Sequence, residues 1–325
     1  MAGNAGLELS ILAAQEGEIM DATMRERARG CAVGAAVGDA LGMPLEFGSR
    51  RPVERMVREM RSGRLPAGTF TDDTEMALAL AESLLAHRPL DPADLADRFV
   101  AWYEAGPEDI GYQTRLVLQE ISRGAGWDQA GKVIYRAYPD SAGNGSVMRC
   151  WPAALAHWND LQALLADSHL QSQVTHRHPE CIAACAFVNA AIYELVRGTA
   201  SAEAVERGLE AAEIPEPLRL AIQAAPSKRR EELPNSGWVR HTAESAVWGL
   251  LTTCSFGEAI LQVANLGGDA DSAAAVTGAL AGAAYGLDAI PPEWREALRG
   301  EYPLGGKETW NVARLIELAD RLVET

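Results

Sequence analysis

Two glycine-spaced stretches decide the fold: RERARGCAVGAAVGDALGM at residues 25–43 and AAAVTGALAGAAYG at residues 273–286. Glycine recurs at every fourth position, at Gly30, Gly34, Gly38 and Gly42 in the first stretch and at Gly278, Gly282 and Gly286 in the second. Residues four apart share one face of a helix. Glycine costs roughly 1 kcal/mol relative to alanine inside a helix, so close approach of backbones is the natural reason for such stripes. The pattern predicts two central helices that pack on each other or on a shared neighbour.

A second interpretation of these stripes is helix dimerisation within a membrane. Arg27, Arg29 and Asp39 argue against it, because they lie in the first stretch and charged side chains are costly inside a membrane span. No apolar run approaches the length of about 18 residues that a membrane helix needs. The sequence therefore predicts no membrane segment.

The composition of the chain favours helices throughout. Of the 325 residues, 48% are hydrophobic but only 6% are aromatic, and alanine is very frequent. Alternating runs rich in Val, Ile and Thr, which are typical of β-strands, are nearly absent. Further helices are predicted at residues 74–87, 92–105, 108–123, 127–137, 147–157, 160–171, 179–197, 201–212, 215–225, 242–252, 256–264, 272–285, 293–300 and 308–323.

The domain organisation follows from the absence of any internal linker rich in Pro, Gly or Ser. We predict a single all-α domain over residues 24–325. Residues 1–23 lack the basic start and compact apolar core of a signal peptide, and we expect them to form a loose or helical N-terminal extension.

The net charge of −16 argues against a general nucleic-acid-binding surface. An acidic protein that binds a phosphate-bearing ligand must offset the repulsion locally, and metal ions and helix N-termini are the usual means. The five cysteines are odd in number and scattered, so they do not form a disulfide framework. They indicate a reducing compartment, and we expect a cytoplasmic protein.

The first acidic segment is TDDT at residues 71–74, at the start of a predicted helix. Carboxylates and hydroxyls crowded in this way are the oxygen ligands that Mg²⁺ and Mn²⁺ prefer. The alternative is helix capping by Thr71 or Asp72, with Glu75 completing a capping box. Capping accounts for one or two of these polar residues but not for the whole group.

The second acidic segment is DADS at residues 269–272, directly after two glycines. It also has a capping interpretation, with Asp271 or Ser272 at the N-cap. Carboxylates two positions apart do not share a helix face, so Asp269 and Asp271 can converge on one ion only if the segment is still a turn. The glycines favour such a turn. Because the two acidic segments lie far apart in the chain, they predict a dinuclear metal site that closes the fold on itself.

Asp39 and Glu46 flank the end of the first glycine-rich stretch, in GDALGMPLEF at residues 38–47. Asp39 lies among small apolar residues, so we expect it to support a site rather than to coat the surface. Glu46 is a candidate third carboxylate for the metal site. Its alternative is a solvated loop glutamate.

Two further motifs are candidate ligand-binding elements. DSAGNGS at residues 140–146 is a glycine-rich turn that delivers the N-terminus of a helix, whose free backbone N–H groups suit phosphate oxygens. An ordinary left-handed turn is its alternative. THRHPE at residues 175–180 permits a zinc site with Cys181 and Cys185, but soft thiolates conflict with the hard oxygen ligands of the acidic segments. Cysteines on the inner face of a helix are the favoured interpretation.

Taken in order, these motifs resemble the ADP-ribosylglycohydrolase family over residues 25–322. The resemblance implies a compact all-α orthogonal helical bundle with a central metal cleft. It also implies two Mg²⁺ or Mn²⁺ ions and the hydrolytic removal of ADP-ribose from modified targets. The motifs that carry it are GDALGMPLEF, TFTDDTEMALALAESL, GNGSVMRCWPAAL, THRHPE and LGGDADSAAAVTGALAGAAYG.

The resemblance also implies roles for individual residues. Glu46 matches the family's mobile glutamate, and either Glu46 or the metal-bound Asp271 would assist proton transfer. Ser272 stands where threonine is common, and Trp238 stands where many members have tyrosine. The implied metal ligands are Thr71, Asp72, Asp73, Asp269, Asp271 and Ser272. The implied contacts with the ADP-ribose phosphates or distal ribose are Gly143, Asn144, Gly145 and Ser146, with His176 beside the ligand.

Asp140 resembles the carboxylate of members that reverse arginine ADP-ribosylation, where it would receive the guanidinium or help to open the ribose ring. An arginine-linked, ADP-ribosylated protein is therefore the expected substrate, with ADP-ribose as the product. Two alternatives stay open. An enzyme of the same fold would act on a linkage to serine, to a nucleic-acid base or phosphate, or to a small metabolite. An immunity-type protein would bind and block an ADP-ribosyltransferase toxin.

Overall fold

The computed structural model describes residues 20–302, 304 and 308–324. In this part of the chain nearly all regular structure is helical, which confirms the all-α prediction. The predicted extension at residues 1–23 lies mostly outside the described residues. The helices are α1 (Ala22–Gly42), α2 (Asp72–Ala86), α3 (Pro92–Glu104), α4 (Tyr112–Ser122), α5 (Trp127–Ala137), α6 (Trp151–Ala156), α7 (Leu161–Thr175), α8 (Pro179–Val196), α9 (Ser201–Ala211), α10 (Glu216–Ala224), α11 (Val239–Thr252), α12 (Phe256–Ala264), α13 (Ala270–Tyr285), α14 (Pro292–Ala297) and α15 (Val312–Glu324).

The two glycine-striped helices, α1 and α13, lie antiparallel at the centre and touch backbone to backbone. A β-carbon added to Gly34 would lie 2.4 Å from the carbonyl oxygen of Gly278. One added to Gly38 would lie 2.0 Å from the carbonyl oxygen of Ala274. Only glycine leaves room for this approach, so the prediction that the striped helices pack on each other is confirmed.

Gly286 departs from the predicted stripe. It lies just after α13 with φ 83°, in the left-handed region that favours glycine. A β-carbon there would lie no closer than 3.8 Å to Glu26, which is an ordinary contact. Gly286 therefore ends the helix. Its backbone still packs against α1, since a β-carbon added to Gly30 would lie 2.7 Å from the carbonyl carbon of Gly286.

The antiparallel packing brings the end of α1 to the beginning of α13. A short 3-10 turn, Met43–Leu45, continues from α1 and leads directly to Glu46. A β-carbon added to Gly42 would lie 2.5 Å from the α-carbon of Asp271. The glycine stripe thus positions Glu46 beside the second acidic segment.

The chain after α14 forms strands where the sequence predicts helix. The strands β1 (Gly300–Tyr302) and β2 (Glu308–Trp310) pair antiparallel. Gly300 packs under the ring of Phe70, where a β-carbon would lie 2.2 Å from Cζ. The Phe70 N–H also donates to the carbonyl oxygen of Arg299. This contact with a distant part of the chain stabilises the extended conformation of the strand. It also stabilises the loop before the first acidic segment.

Helix α8, Pro179–Val196, is long and apolar enough by length and composition to cross a membrane, contrary to the expectation that no segment would be. However, 78% of its residues are buried inside the fold. It contacts α7, α9 and α13. The burial identifies α8 as a core helix.

Candidate metal and ligand site

Asp39 links the buried face of α1 to the N-terminus of α2. Its carboxylate accepts hydrogen bonds from the N–H of Thr71 (3.0 Å), the N–H of Thr74 (3.1 Å) and the hydroxyl of Thr74 (2.6 Å). These donors belong to the first turn of α2, where backbone N–H groups lack helical partners. Burial raises the pKa of Asp39 to about 6, against the effect of these hydrogen bonds. Asp39 therefore supports the first acidic segment, as its apolar surroundings predict.

Thr71 is the N-cap of α2, and its side chain accepts a hydrogen bond from the N–H of Asp73. The alternative capping box does not form, because with Thr71 at the N-cap the N3 position is Thr74. Glu75 lies one position further on and accepts a 2.6 Å hydrogen bond from the indole N–H of Trp102. Burial raises the pKa of Glu75 to about 7. Capping thus uses one threonine and leaves the carboxylates of Asp72 and Asp73 for another role.

Asp73 is buried and has an oxygen, Oδ1, without a hydrogen-bond partner among the described residues. Its other oxygen, Oδ2, lies 3.3 Å from the hydroxyls of both Thr71 and Ser272. Burial raises the pKa of Asp73 well above its usual value, and the charges of Asp39 and Asp72 raise it further. An unpaired buried carboxylate oxygen is unfavourable, and a bound cation would satisfy it.

Glu46, Asp269 and Asp271 converge on one point, with one oxygen of each lying within 4.8 Å of the others. Asp269 is the residue before α13 and has non-helical φ and ψ, whereas Asp271 lies in the first helical turn. The segment is therefore still turning at Asp269, as convergence requires. Burial raises the pKa of Asp271 well above its usual value, and the charges of Asp73 and Asp269 add to this. Carboxylates this close oppose each other's ionisation unless a cation lies among them.

The donor set fits a hard divalent cation such as Mg²⁺ or Mn²⁺, since carboxylate and hydroxyl oxygens are the ligands that such ions prefer. Among the described residues, the only group of His, Cys, Asp and Glu side chains close enough to share an ion is the acidic one. Cys181 and Cys185 are buried in α8 and lie near the Gly143 carbonyl oxygen and the Ser146 hydroxyl. They are structural cysteines, in agreement with the favoured interpretation.

Arg64 and Asp109 belong to the site but were not singled out by the sequence patterns. The Arg64 guanidinium is within hydrogen-bonding distance of Glu46 (2.8 Å) and Asp271 (3.3 Å). It also forms a 2.5 Å ion pair with Asp109. Burial raises the pKa of Glu46, and Arg64 opposes this rise. Both residues lie in loops, although the sequence predicts Asp109 at the start of a helix over residues 108–123 that begins only at Tyr112. Only their charges could have indicated them.

The glycine-rich turn is fixed against the second acidic segment. The side-chain amide of Asn144 donates 2.9 Å hydrogen bonds to the Asp269 carboxylate and to the Thr242 hydroxyl. The Asn144 N–H donates to the carbonyl oxygen of Gly237 at 3.0 Å. Gly143 also bridges to Trp238 through the backbone. The turn therefore lies beside the acidic group, where a ligand could contact both.

His176 lies beneath the glycine-rich turn and is buried. A β-carbon at Gly145 would lie 2.8 Å from its imidazole ring, and one at Gly143 would lie 3.3 Å from it. Burial lowers the pKa of His176 to about 3, so the ring is neutral. Its Nδ1 lies 2.8 Å from the Thr175 hydroxyl. His176 thus supports the turn from below, and its direct contact with a ligand stays a prediction.

Asp140 and Ser146 lie at opposite ends of the turn. Asp140 is exposed and precedes Ser141, whose hydroxyl donates a 2.6 Å hydrogen bond to Gln113. Ser146 is buried, and its hydroxyl accepts a 2.9 Å hydrogen bond from Ser172. Asp140 is therefore on the solvent side of the turn, outside the group formed by Glu46, Asp269 and Asp271.

Comparison with known proteins agrees with this geometry. Residues 20–325 match the sequence model of the ADP-ribosylglycohydrolases. The ADP-ribosylarginine hydrolase Tri1 of Serratia proteamaculans is 38% identical over 287 residues, covering 84% of this chain and 75% of the relative. The ADP-ribosyl-[dinitrogen reductase] glycohydrolase of Rhodospirillum rubrum is 34% identical over 290 residues, covering 85% and 91%. A solved structure described as an ADP-ribosylglycohydrolase-related protein complex has a TM-score of 0.75 at 34% identity, covering 93% and 98%.

Proposed function

The chain belongs to the ADP-ribosylglycohydrolase family and is an ADP-ribosyl glycohydrolase, and we propose that it removes ADP-ribose from modified protein side chains with the help of two Mg²⁺ or Mn²⁺ ions. One observation carries the proposal. Glu46, Asp269 and Asp271 converge within 4.8 Å, next to the unpaired buried oxygen of Asp73. The residues that would hold the ions are Thr71, Asp72, Asp73, Asp269, Asp271 and Ser272.

Hydrolysis breaks the bond between C1″ of the distal ribose and the target atom. Water supplies the hydroxyl group at C1″ and the proton for the leaving group. Divalent ions, when bound, would orient the ribose hydroxyls and lower the pKa of a water molecule. Glu46 lies at the edge of the acidic group and is the candidate acceptor of the water proton, with Asp271 as the second candidate.

The helix N-terminus predicted after the glycine-rich turn does not follow it directly, because α6 begins only at Trp151. The turn would hold the phosphates or the distal ribose through the backbone N–H groups of Gly143, Gly145 and Ser146, since the N–H of Asn144 already donates to Gly237. This role is supported by the hydrogen bond from Asn144 to Asp269, which fixes the turn next to the candidate metal ligands. The buried, neutral ring of His176 adds no positive charge behind the turn. Backbone dipoles and bound ions would therefore supply attraction for a phosphate.

We propose arginine as the modified side chain. The relatives that support this include ADP-ribosylarginine hydrolases of Serratia proteamaculans and Pseudomonas putida, at 38% and 36% identity. The exposed carboxylate of Asp140 borders the turn and would pair with a guanidinium group at its open side. A serine linkage offers no cation for this contact.

The other candidates are hydrolysis of a different ADP-ribosyl linkage and blockade of an ADP-ribosyltransferase toxin by binding alone. Human ADP-ribosylhydrolase ARH3 is a more distant relative, at 27% identity over 335 residues. Blockade without catalysis is disfavoured, because every candidate metal position retains an oxygen ligand.

The test compares ADP-ribose release from arginine-modified and serine-modified proteins with Mg²⁺, with Mn²⁺ and with EDTA. We expect release from the arginine-linked protein only with a divalent ion. Asp271→Ala should abolish it, whereas Asp97→Ala, at an exposed position on α3, should not. Release that persists in EDTA would refute the metal mechanism. Tight binding of a transferase without any release of ADP-ribose would favour the blocking function.

A further inference from the structure

Phe47 has an unfavourable backbone conformation. Its φ is 58°, and in the described part of the chain it is the only residue other than glycine with a positive φ. The left-handed region is unfavourable for a bulky aromatic residue, because its Cβ crowds the following carbonyl group. Glycine or asparagine would adopt this conformation more easily. Such strain persists only where the surroundings impose it, and it concentrates at functional sites.

The side chain of Phe47 contributes nothing to the core. It is 84% exposed, although burial of a phenylalanine ring is strongly favourable. Neither the backbone nor the packing of the fold therefore benefits from an aromatic residue at this position.

The backbone of Phe47 is nevertheless held firmly beside the site. Its N–H donates a 2.6 Å hydrogen bond to the carbonyl oxygen of Gly268, and the N–H of Gly268 donates a 2.9 Å hydrogen bond to the carbonyl oxygen of Gly48. This reciprocal pair joins the segment that carries Glu46 to the segment that carries Asp269. The backbone that carries the exposed ring is thus fixed next to the acidic group.

Other exposed aromatic side chains border the same site. Trp238 bridges to Gly143 of the glycine-rich turn, and Tyr138 packs edge-on against Tyr112 just before that turn. Together with Phe47 they make up four of the eight exposed large hydrophobic side chains in the described part of the chain. Exposed aromatic surface is therefore concentrated around the mouth of the site, as at surfaces that contact another protein.

We propose that Phe47 is a specificity-determining residue that contacts the polypeptide of the ADP-ribosylated target, next to its modified side chain. The proposal rests on the proposed function. The target is covalently joined to the ribose carbon that would lie near Glu46, and the ring of Phe47, the next residue, is exposed where it can meet the polypeptide on either side of that link. This covalent link identifies the occupant as the substrate protein and not as a second copy of the chain.

The test measures kcat/KM on an arginine-modified protein and on free ADP-ribosylarginine. Phe47→Ala and Phe47→Asn should each lower kcat/KM for the protein about tenfold, the scale of an aromatic contact at an interface. Both should leave kcat/KM for free ADP-ribosylarginine unchanged. Phe47→Tyr should retain activity on the protein. Leu220→Ala, at another exposed hydrophobic residue on α10, should affect neither substrate.

A second measurement separates the ring from the backbone strain. Because asparagine tolerates the left-handed conformation, Phe47→Asn should have a higher Tm than Phe47→Ala and yet lose the same selectivity for the protein substrate. Equal losses on both substrates would overturn the proposal, since the ring would then act on the ADP-ribosyl group or on Glu46. An unchanged rate on the protein, or a wild-type dimer that Phe47→Ala dissociates in light scattering, would also overturn it. Failure of the wild type to cleave either substrate would instead refute the proposed function.

Discussion

The Nη2 atom of Arg64 lies 2.8 Å from the Oε2 atom of Glu46 and 3.3 Å from the Oδ2 atom of Asp271. A positive group of the chain itself therefore contacts two carboxylates that are candidates for cation binding. A guanidinium and a divalent ion close to the same carboxylates repel each other, so the two compete. Asp109, 2.5 Å from Arg64, offers the guanidinium a place to remain when an ion binds.

Replacing Arg64 by glutamine removes this competitor. We expect Arg64→Gln to bind Mn²⁺ about fivefold more tightly, or by about 1 kcal/mol, the scale of a partly exposed ion pair. In EDTA the variant should have a lower Tm than the wild type, because the acidic group loses its positive partner. Calorimetric titration and thermal unfolding measure the two effects.

The matched control is Arg61→Gln, in the same loop, where Arg61 pairs with the exposed Glu59. It should alter neither the affinity for Mn²⁺ nor the Tm in EDTA. Unchanged or weaker Mn²⁺ binding by Arg64→Gln would contradict the competition.

Asp73→Asn keeps the shape of the side chain but removes a buried charge. Without metal the variant should be more stable than the wild type by about 1 kcal/mol, because burial and the neighbouring aspartates make the charged form unfavourable. Mg²⁺ should raise the Tm of the wild type but not that of the variant, since only the wild type gains binding free energy. Asp97→Asn is the surface control. Full activity in Asp73→Asn would remove Asp73 from the metal site.

The stability of the metal-free protein should depend on pH. Burial raises the pKa of Asp39 from 3.8 to about 6 and that of Glu75 from 4.5 to about 7. A carboxyl group whose pKa is higher in the folded protein binds its proton more tightly there than in the unfolded chain. Its contribution to the free energy of unfolding is therefore complete below the unfolded pKa and is lost as the pH rises through the folded pKa. The free energy of unfolding in EDTA should therefore fall between pH 3.8 and about 7.

Urea unfolding at a series of pH values measures this slope. In Glu75→Gln the free energy of unfolding should fall less steeply near pH 7 than in the wild type, because glutamine does not ionise. A free energy of unfolding that rises across the window would show that these carboxyl groups do not dominate the pH dependence.

Gly34→Ala should disrupt the central helix pair. The added β-carbon would lie 2.4 Å from the carbonyl oxygen of Gly278, and overpacking of this kind costs about 1–3 kcal/mol. Activity should fall as well, because the displaced end of α1 carries Glu46 away from Asp271. Gly126→Ala is the control, since Gly126 has a negative φ and a β-carbon there meets nothing within 4 Å. Equal Tm values for the two variants would contradict this packing.

Asp140→Ala tests the linkage. We expect the wild type to cleave arginine-linked ADP-ribose at least about tenfold faster than serine-linked, which corresponds to roughly 1.4 kcal/mol in the barrier. The variant should lose most of this preference, because the exposed carboxylate would no longer pair with the guanidinium. The measurement is the initial rate of ADP-ribose release from the arginine-modified and the serine-modified protein. Equal wild-type rates would refute the preference.

The sequence predicts the centre of the molecule well, because that centre depends on local patterns. Glycine at every fourth residue has one steric consequence, and the structure shows it between Gly34 and Gly278. Asp269 and Asp271 converge because the preceding glycines keep the chain turning until the helix begins. In each case the information lies within a few neighbouring residues.

What the sequence did not predict depends on contacts between distant segments. Arg64 lies in an irregular loop, and its partner Asp271 is 207 positions away. The strand at Gly300 forms because that residue packs under Phe70. Secondary-structure propensity depends on neighbouring residues and carries no information about this distant contact. Glu75 would complete a capping box only if α2 began one residue later; the N-cap is Thr71, and the carboxylate of Glu75 accepts a hydrogen bond from the indole of Trp102 instead.

Because of the antiparallel glycine contact, the candidate metal centre can form only when α1 and α13 pack in the correct register. The acidic residues are separated by more than 200 positions in the chain, from Glu46 to Asp271, so no short fragment carries the full set. Sliding α1 along α13 by one glycine interval of four residues would move Glu46 by about 6 Å. That shift exceeds the 4.8 Å within which the oxygens of Glu46, Asp269 and Asp271 now lie. In a misaligned chain the carboxylates would stay too far apart to bind the cations. The free energy of cation binding would therefore stabilise only the correct register of the two helices.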